Sequence, residues 1–268
     1  MLHNLRQLLR YRGLIQSLVA RELKARYRGS VLGFFWSFIN PLLLLSIYSF
    51  VFSVVLPGQH PPETEPYALF MFCGILPWTW FASSLSESSN VLIANGNLIK
   101  KVLFPAEILP IVTVLANMVH FFLGLPILIG FLVYYWRPLT LVELLWFPVV
   151  VFVQALLTIG FALILSALTV HFRDIKDLLA NLLTFWFFAT PIIYPMSQAT
   201  GATGGYAKTL LDLNPMTHIA ISYQEILFYP GPFGHWQWLV ALGGASAVLF
   251  LIGYFLFDRL RDSFAEEV

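Results

Sequence analysis

Apolar and polar positions alternate along this chain in long blocks. Residues 31–56, 67–86, 108–135, 144–170, 178–196 and 236–257 are nearly free of charge, and short polar stretches separate them. About 20 apolar helical residues cross the ~30 Å hydrocarbon layer of a bilayer, so these blocks predict six transmembrane helices. The first block holds Asn40-Pro41, which favours a kink. The second is interrupted by Gly74 and Pro77, and the fifth carries Pro191 and Pro195 near its far end. Ahead of the first block, residues 8–28 follow a helical period. Arg10, Ser17, Arg21, Lys24 and Arg28 fall on one stripe, and Leu8, Tyr11, Ile15, Leu18, Val19 and Leu23 on the other face. A basic helix with one apolar face lies in a membrane interface. Within it Glu22 and Arg26 stand at i, i+4, the favourable order for a helical ion pair. Between the fifth and sixth blocks, residues 197–235 are too polar for an ordinary span. They read as one or two short re-entrant helices at the outer interface.

Charge adds orientation. An even number of spans puts both termini on one side. Thirteen of the Lys and Arg residues then lie on that side, and Arg137 and Lys208 alone on the other. The positive-inside rule makes the first side cytoplasmic. The expected architecture is an all-α integral membrane protein. A cytoplasmic N-terminal segment (1–30) carries the interfacial helix, residues 31–257 form the six-span domain, and residues 258–268 are a cytoplasmic tail.

Composition agrees: 59% of the 268 residues are hydrophobic and 11% charged, with a net charge of +1, far from the charged quarter of a soluble domain. The basic stripe is therefore a membrane feature, and nothing points to nucleic acid. Cys73 is the only cysteine and sits in an apolar block, so it supplies neither a disulfide nor a metal or redox signal. The chain has no Gly-Lys pair, hence no phosphate-cradling P-loop, and no H-E-x-x-H or G-x-S-x-G motif. His120 is the one ionisable side chain deep in a span. It reads as a neutral imidazole hydrogen-bonded between helices, against the alternative of a proton relay. Ion-coupled carriers use buried carboxylates, which are missing here, so an energy-consuming function needs a separate ATPase. Aromatic residues make up 16% of the chain. Trp136, Trp146, Trp236, Trp238 and Tyr67 stand at span ends as interfacial anchors. Aromatic faces also suit the apolar C–H faces of sugars. On that basis Phe35, Trp36, Tyr48, Phe185, Phe188 and Tyr194 are candidates to line a channel, the alternative for most of the aromatics being that they face lipid or pack between helices.

Six segments in order carry a family resemblance. They are LKARYRGSVLGFFWSFINPLLLLSIYSFVFS (from Leu23), GILPW (Gly74–Trp78), NLIKKVLFPAEILP (Asn97–Pro110), FRDIKDLL (Phe172–Leu179), TPIIYP (Thr190–Pro195) and Asn214-Pro215. Together the chain resembles ABC-2-type permeases, and among them the polysaccharide exporters that move O-antigen, teichoic acid or capsule. After the Asn-Pro pair the family often has Tyr-Arg, where this chain has Tyr223-Gln224.

The resemblance implies a homodimer of six-span subunits in the bacterial inner (plasma) membrane, with two copies of a separate ATPase that bind ATP and Mg. It implies no cofactor and no catalysis in this chain. It makes the loop between spans two and three the ATPase-coupling element, here Asn97, Leu98, Ile99, Lys100, Lys101, Phe104, Pro105 and Glu107. The interfacial helix would also touch the ATPase. The implied substrate is a polymer on a polyprenyl-diphosphate lipid, whose anionic head Arg26, Arg28, Lys100 and Lys101 would attract; topology retention alone is the alternative role for these four. Motion of the ATPases would tilt spans one and five and open a central channel. The stretch Tyr27–Gly33 would act as a rigid lever or, through Gly29 and Gly33, as a hinge. An ABC-2 permease for a drug or another lipid shares the topology. A membrane-embedded polyprenyl-lipid transferase would need a cytoplasmic cluster of acids or histidines. The one dense candidate, Arg173-Asp174-Lys176-Asp177, is as basic as it is acidic.

Overall fold

The computed structural model describes residues 11–55, 61–100, 104–136, 141–198 and 206–267, and all regular structure among them is helical. The amphipathic helix α1 spans Arg12–Arg26; the start expected at residues 8–10 lies outside the described residues. Leu18 is its buried anchor. It packs on Ile108 and Val112, with Tyr11, Leu14, Ile15 and Val19 around it. The expected apolar face is therefore real, and it covers protein: the first turns of α5. Glu22 does not take Arg26, which reaches instead to Glu87.

No single helix runs from α1 into the first apolar block. The chain turns at Tyr27–Gly29, and Gly29 (φ 80°) and Gly33 (φ 49°) both adopt the left-handed region, which costs a side-chain-bearing residue about 1–2 kcal/mol. Three bonds set the corner: Arg28 N–H to Ala25 O, Ser30 N–H to Tyr27 O, and Gly33 N–H to the Ser30 hydroxyl. The link between α1 and the first apolar block is thus a hydrogen-bonded glycine corner and not a continuous helix, compatible with either the lever or the hinge. A 3-10 turn (Gly33–Phe35) leads into α2 (Trp36–Phe50), which continues through Pro41 and ends in a π turn, Val51–Val55.

Helix α3 (Tyr67–Ala94) is unbroken through Gly74 and Pro77. Gly74 serves packing: a Cβ there would stand 3.2 Å from Ile192 Cγ2. The amide of Gln154 donates to the Pro77 carbonyl at 2.8 Å. The helix also outruns residue 86, where the sequence turns polar. Ser84, Ser88 and Ser89 lie on its buried face with Leu85 and Leu92, and the Ser84 and Ser89 hydroxyls bond carbonyls of their own helix. Then follow the short α4 (Gly96–Ile99), α5 (Ile108–Tyr134), a turn α6 (Leu141–Leu144), and α7 (Phe147–His171).

Helix α8 covers Ile175–Phe188, shorter than the expected 178–196 block. It stops at Ala189 because Thr190 precedes Pro191 and a pre-proline residue disfavours helix. Two short helices, α9 (Tyr206–Leu213) and α10 (Pro215–Leu227), fill the region read as re-entrant. The last helix, α11, runs Trp236–Glu267 without a break, so the residues read as a polar tail are helical. Helices α7 and α11 touch closely through glycine. A Cβ on Gly253 would sit 2.6 Å from the Gly160 carbonyl oxygen, the small-residue contact that membrane helices use to approach.

Among the described residues four helices are long and apolar enough to cross a membrane: Tyr67–Ala94, Ile108–Tyr134, Phe147–His171 and Trp236–Phe264. Helices α2 and α8, at the other two expected spans, have 15 and 14 residues. The main core joins α3, α5, α7, α10 and the start of α11. A smaller core gathers the ends of α3, α7 and α11 with the start of α5. That second core marks the basic end of the bundle, where Arg26, Lys100, Arg173 and Arg261 also lie.

Candidate functional site

The basic end holds a cavity of about 500 Å³ between the end of α1, α2, α3 and α5. Its walls are mixed. Arg26, Ser37, Asn117 and His120 are polar, while Leu44, Phe72 and Leu76 are apolar. Arg26 is committed on two sides: Nη1 donates to Asn117 Oδ1 at 3.0 Å and Nη2 to Glu87 Oε2 at 2.7 Å. The Asn117 amide donates to the same Glu87 oxygen at 2.8 Å. This triangle ties α1 to α3 and α5. Next to it, Tyr27 and Ser37 exchange a hydroxyl hydrogen bond, and both lie at hydrogen-bond distance from His120 Nδ1. His120, on α5, thus joins the corner after α1 to α2.

The predicted coupling residues divide. Asn97 and Lys100 are exposed, and Leu98, Ile99 and Phe104 are half-buried. Pro105 is buried, as is Glu107, which is 5% exposed at the head of α5 and 3.8 Å from Arg261 Nη1. Lys101 lies outside the described residues. Of the four cations proposed to meet a diphosphate, Arg28 and Lys100 are exposed and Arg26 is in the triangle. Sequence reasoning missed the partners Glu87 and Asn117. Glu87 directly follows the second apolar block and Asn117 sits inside the third, and neither position signals a partner.

The channel candidates lie on or beside two helices with exposed apolar faces, except Tyr194, which follows the end of α8. Phe35, Leu43, Ile47 and Phe50 expose their side chains on or just before α2, and Leu178, Leu182, Phe185 and Phe188 do so on α8. Trp36 and Tyr48 are half-buried; Trp36 lines the cavity and Tyr48 packs on the main core. Tyr194 is half-buried and donates to the Phe188 carbonyl at 3.0 Å.

The opposite end is knitted by neutral groups. Asn214 Oδ1 accepts from Trp186 Nε1 (2.7 Å) and from Met216 N–H (3.0 Å). Its amide donates to the Ala189 carbonyl (2.9 Å) and the Thr190 hydroxyl (3.0 Å). One side chain caps α10 and fastens it to the end of α8. Gln224, where the family often has Arg, is 3% exposed and donates to the Pro191 carbonyl at 2.9 Å. An uncharged amide suits that dry position. His218 and His235 share a 2.9 Å hydrogen bond, and His218 stacks on Trp238 with ring centroids 4.7 Å apart. Burial, aided by the nearby His218, pushes His235 down to about 4. Burial pushes Glu225 up, opposed by hydrogen bonds from the Gly234 and His235 backbone N–H groups. Among the described residues no group of His, Cys, Asp and Glu is placed to hold a metal.

Comparison with known proteins fits this arrangement of helices. The chain is 41% identical over its whole length to the O-antigen export system permease protein RfbA of Myxococcus xanthus, covering all of both chains. It is 33% identical to the O-antigen export system permease protein RfbA of Klebsiella pneumoniae over 94% of each chain. It is 24% identical to the polysialic acid transport protein KpsM of Escherichia coli over 92% of this chain and 93% of that one. Residues 13–228 match the ABC-2 type transporter family, which takes in α1 to α10. The chain is a multi-pass membrane protein that belongs to the ABC-2 type transporter family.

Proposed function

We propose that this chain is the transmembrane subunit of an ATP-driven exporter that carries a polyprenyl-diphosphate-linked polysaccharide of the O-antigen class across the bacterial inner membrane. The observation that carries the reading is the end-to-end similarity to an O-antigen export permease, at 41% identity with neither chain overhanging. The polysialic acid transport protein is more distant, at 24%, which favours O-antigen over polysialic acid.

In this reading six segments span the membrane, with α2 and α8 as the two short ones, and α9 and α10 dip into the outer interface. Both termini face the cytoplasm. Two copies of the chain assemble so that α2 and α8, with Phe35, Phe185 and Phe188 exposed on them, border a shared path. Inside the bilayer these faces have no hydrophobic drive to associate, so van der Waals packing of the two surfaces would hold a second copy. Hydrolysis of ATP belongs to a separate subunit that receives Gly96–Ile99 and the residues after it. Exposed Arg28 and Lys100 attract the lipid diphosphate to the cytoplasmic mouth. Arg26 reaches an anion only by exchanging it for Glu87, so its role at rest is to hold α1.

The test is complementation in a strain lacking its own O-antigen permease. Expression of this chain with its cognate ATPase restores O-antigen at the cell surface, and the ATPase co-purifies with the chain. If polymer stays inside the cell although the pair is assembled in the membrane, the substrate assignment is wrong. If no ATPase binds, the whole reading is wrong.

A further inference from the structure

The last turns of α11 are built as a seat. In FDRLRDSFAEEV the apolar residues Phe257, Leu260 and Phe264 recur at helical spacing. Phe257 is 1% exposed and Phe264 fully buried, and their rings meet edge to face at 5.1 Å. They share one apolar cluster with Leu92 at the end of α3, Leu109 at the start of α5, and Val170 at the end of α7. Ile99 of α4 and Phe104 pack against that cluster from outside. Helix α4 therefore rests its inner side on a floor to which α11 contributes, while Asn97 and Lys100 face outward.

Two polar contacts fix the floor. His171, the last residue of α7, places Nε2 3.0 Å from the Ser263 hydroxyl. Glu107, which closes the loop after α4, is buried with Oε2 lacking any hydrogen bond, and Arg261 lies 3.8 Å from that oxygen. A buried carboxylate with so loose a partner is a poor device for stability, because desolvation of the charge offsets the attraction. It does give one register between the loop and α11, since any other register leaves the charge alone in an apolar core. From this seat α11 continues as a single helix, in glycine contact with α7, to the opposite end of the bundle.

We propose that Asp258–Glu267 is the seat of the α4 loop, with Glu107 and Arg261 as its positioning pair, so that a push on α4 travels along α11 as well as along α5. The proposal rests on the reading of α4 as the ATPase contact and adds to it a second route of transmission. It assigns a role to the stretch that the sequence presents only as a polar end.

The experiment uses the full chain with its ATPase in membrane vesicles, reading ATP hydrolysis, polymer export and ATPase co-purification side by side. Arg261→Glu changes a side chain that is 41% exposed and sets two carboxylates facing each other. The expected result is hydrolysis near the wild-type rate with export per ATP down by about fivefold or more, the lower range of a coupling free energy. Adding Glu107→Gln to Arg261→Glu restores export per ATP, because an amide can donate to the new carboxylate. Phe264→Ala behaves as Arg261→Glu does, and Phe264→Leu recovers most of the loss. Lys208→Gln, exposed on α9 away from the seat, changes nothing. Unchanged export per ATP in both Arg261→Glu and Phe264→Ala overturns the proposal. So does a loss of export, hydrolysis and co-purification in equal proportion, which marks a merely structural role. Failure of the wild-type pair to assemble or export refutes the function itself and is recognised separately from either outcome.

Discussion

The two ends of the bundle are joined by different chemistry. At the end away from the basic residues, Asn214, Trp186, Thr190, Gln224 and the His218–His235 pair make neutral hydrogen bonds in buried or half-buried positions. At the basic end, α1 is held by Arg26 and Glu87, whose side chains are 28% and 40% exposed, and its exit is a corner with two left-handed glycines. Neutral bonds in a dry site are strong because breaking one leaves an unpaired dipole. A half-exposed ion pair is weak because water and salt compete for both charges. The difference predicts different mechanical roles: one end fixes the helices, and the other leaves α1 able to shift against them.

The largest expected effect tests the fixed end. Asn214→Ala removes four hydrogen bonds at once and leaves the Trp186 N–H and the first turn of α10 without their acceptor. The cost is about 3 kcal/mol, from orphaned groups at ~1–3 kcal/mol each. It appears as a lowered thermal midpoint of the purified protein in detergent. Asn214→Asp keeps the acceptor and loses the amide donations to Ala189 and Thr190, and falls between the two.

Next comes pH. His235 is pushed from its ordinary 6.5 down to about 4, first by burial and then by His218. A base with a depressed folded-state value binds its proton better when unfolded. The stability it contributes is complete above pH 6.5 and is lost as pH falls toward about 4. Glu225, pushed up by burial, takes a proton more readily in the folded state and works in the opposite direction. Thermal midpoints measured between pH 7 and pH 4.5 should fall for the wild type. The fall should be shallower in His235→Gln. The Asp212 carbonyl, which lies 2.8 Å from His218 Nε2, and Trp238 complete the surroundings of the pair. A flat profile would mean that the pair is wet, and the contrast between the ends would shrink.

How much of this was legible in the sequence depends on where polarity and position agree. The α5 block is bounded by Glu107 and Arg137, and its helix, Ile108–Tyr134, falls where the charges place it. The end of α3 was hidden. Glu87, Ser88 and Ser89 look like the start of a loop, yet the serines face the core and Glu87 meets Arg26. Residues 61 positions apart give no sign of one another in a single sequence. The reach of α8 was overread because TPIIYP is apolar enough for a span, although Thr190-Pro191 ends the helix. The seat formed by Phe257, Leu260 and Phe264 was available as a helical period, and the surrounding Asp and Arg residues masked it. Apolarity thus locates helices well. It locates neither their ends nor the pairing of polar groups, which depend on neighbours distant in the chain.

A smaller effect tests the corner. Gly29→Ala meets open space, with no atom within 4 Å of the added Cβ. Its cost is the left-handed backbone alone, about 1 kcal/mol. Gly29→Asn, whose side chain tolerates that region, should recover part of it. If export with the ATPase falls far more than stability does, the corner matters for motion as well as for direction.

The smallest expected effect is Glu87→Gln. Both partners are partly exposed, so water already screens the Arg26–Glu87 attraction, and loss of the charge costs about 0.5 kcal/mol. The glutamine oxygen still accepts from Arg26 or from the Asn117 amide, which keeps one side of the triangle. The wild-type protein should lose the same half kilocalorie in high salt, and the two losses should not add, because they remove one interaction. A double-mutant cycle with Arg26→Gln measures the pair directly. A coupling as large as the loss in Asn214→Ala would place a rigid joint at the basic end. The corner after α1 would then have nothing to move, and the contrast between a fixed end and an adjustable one would fail.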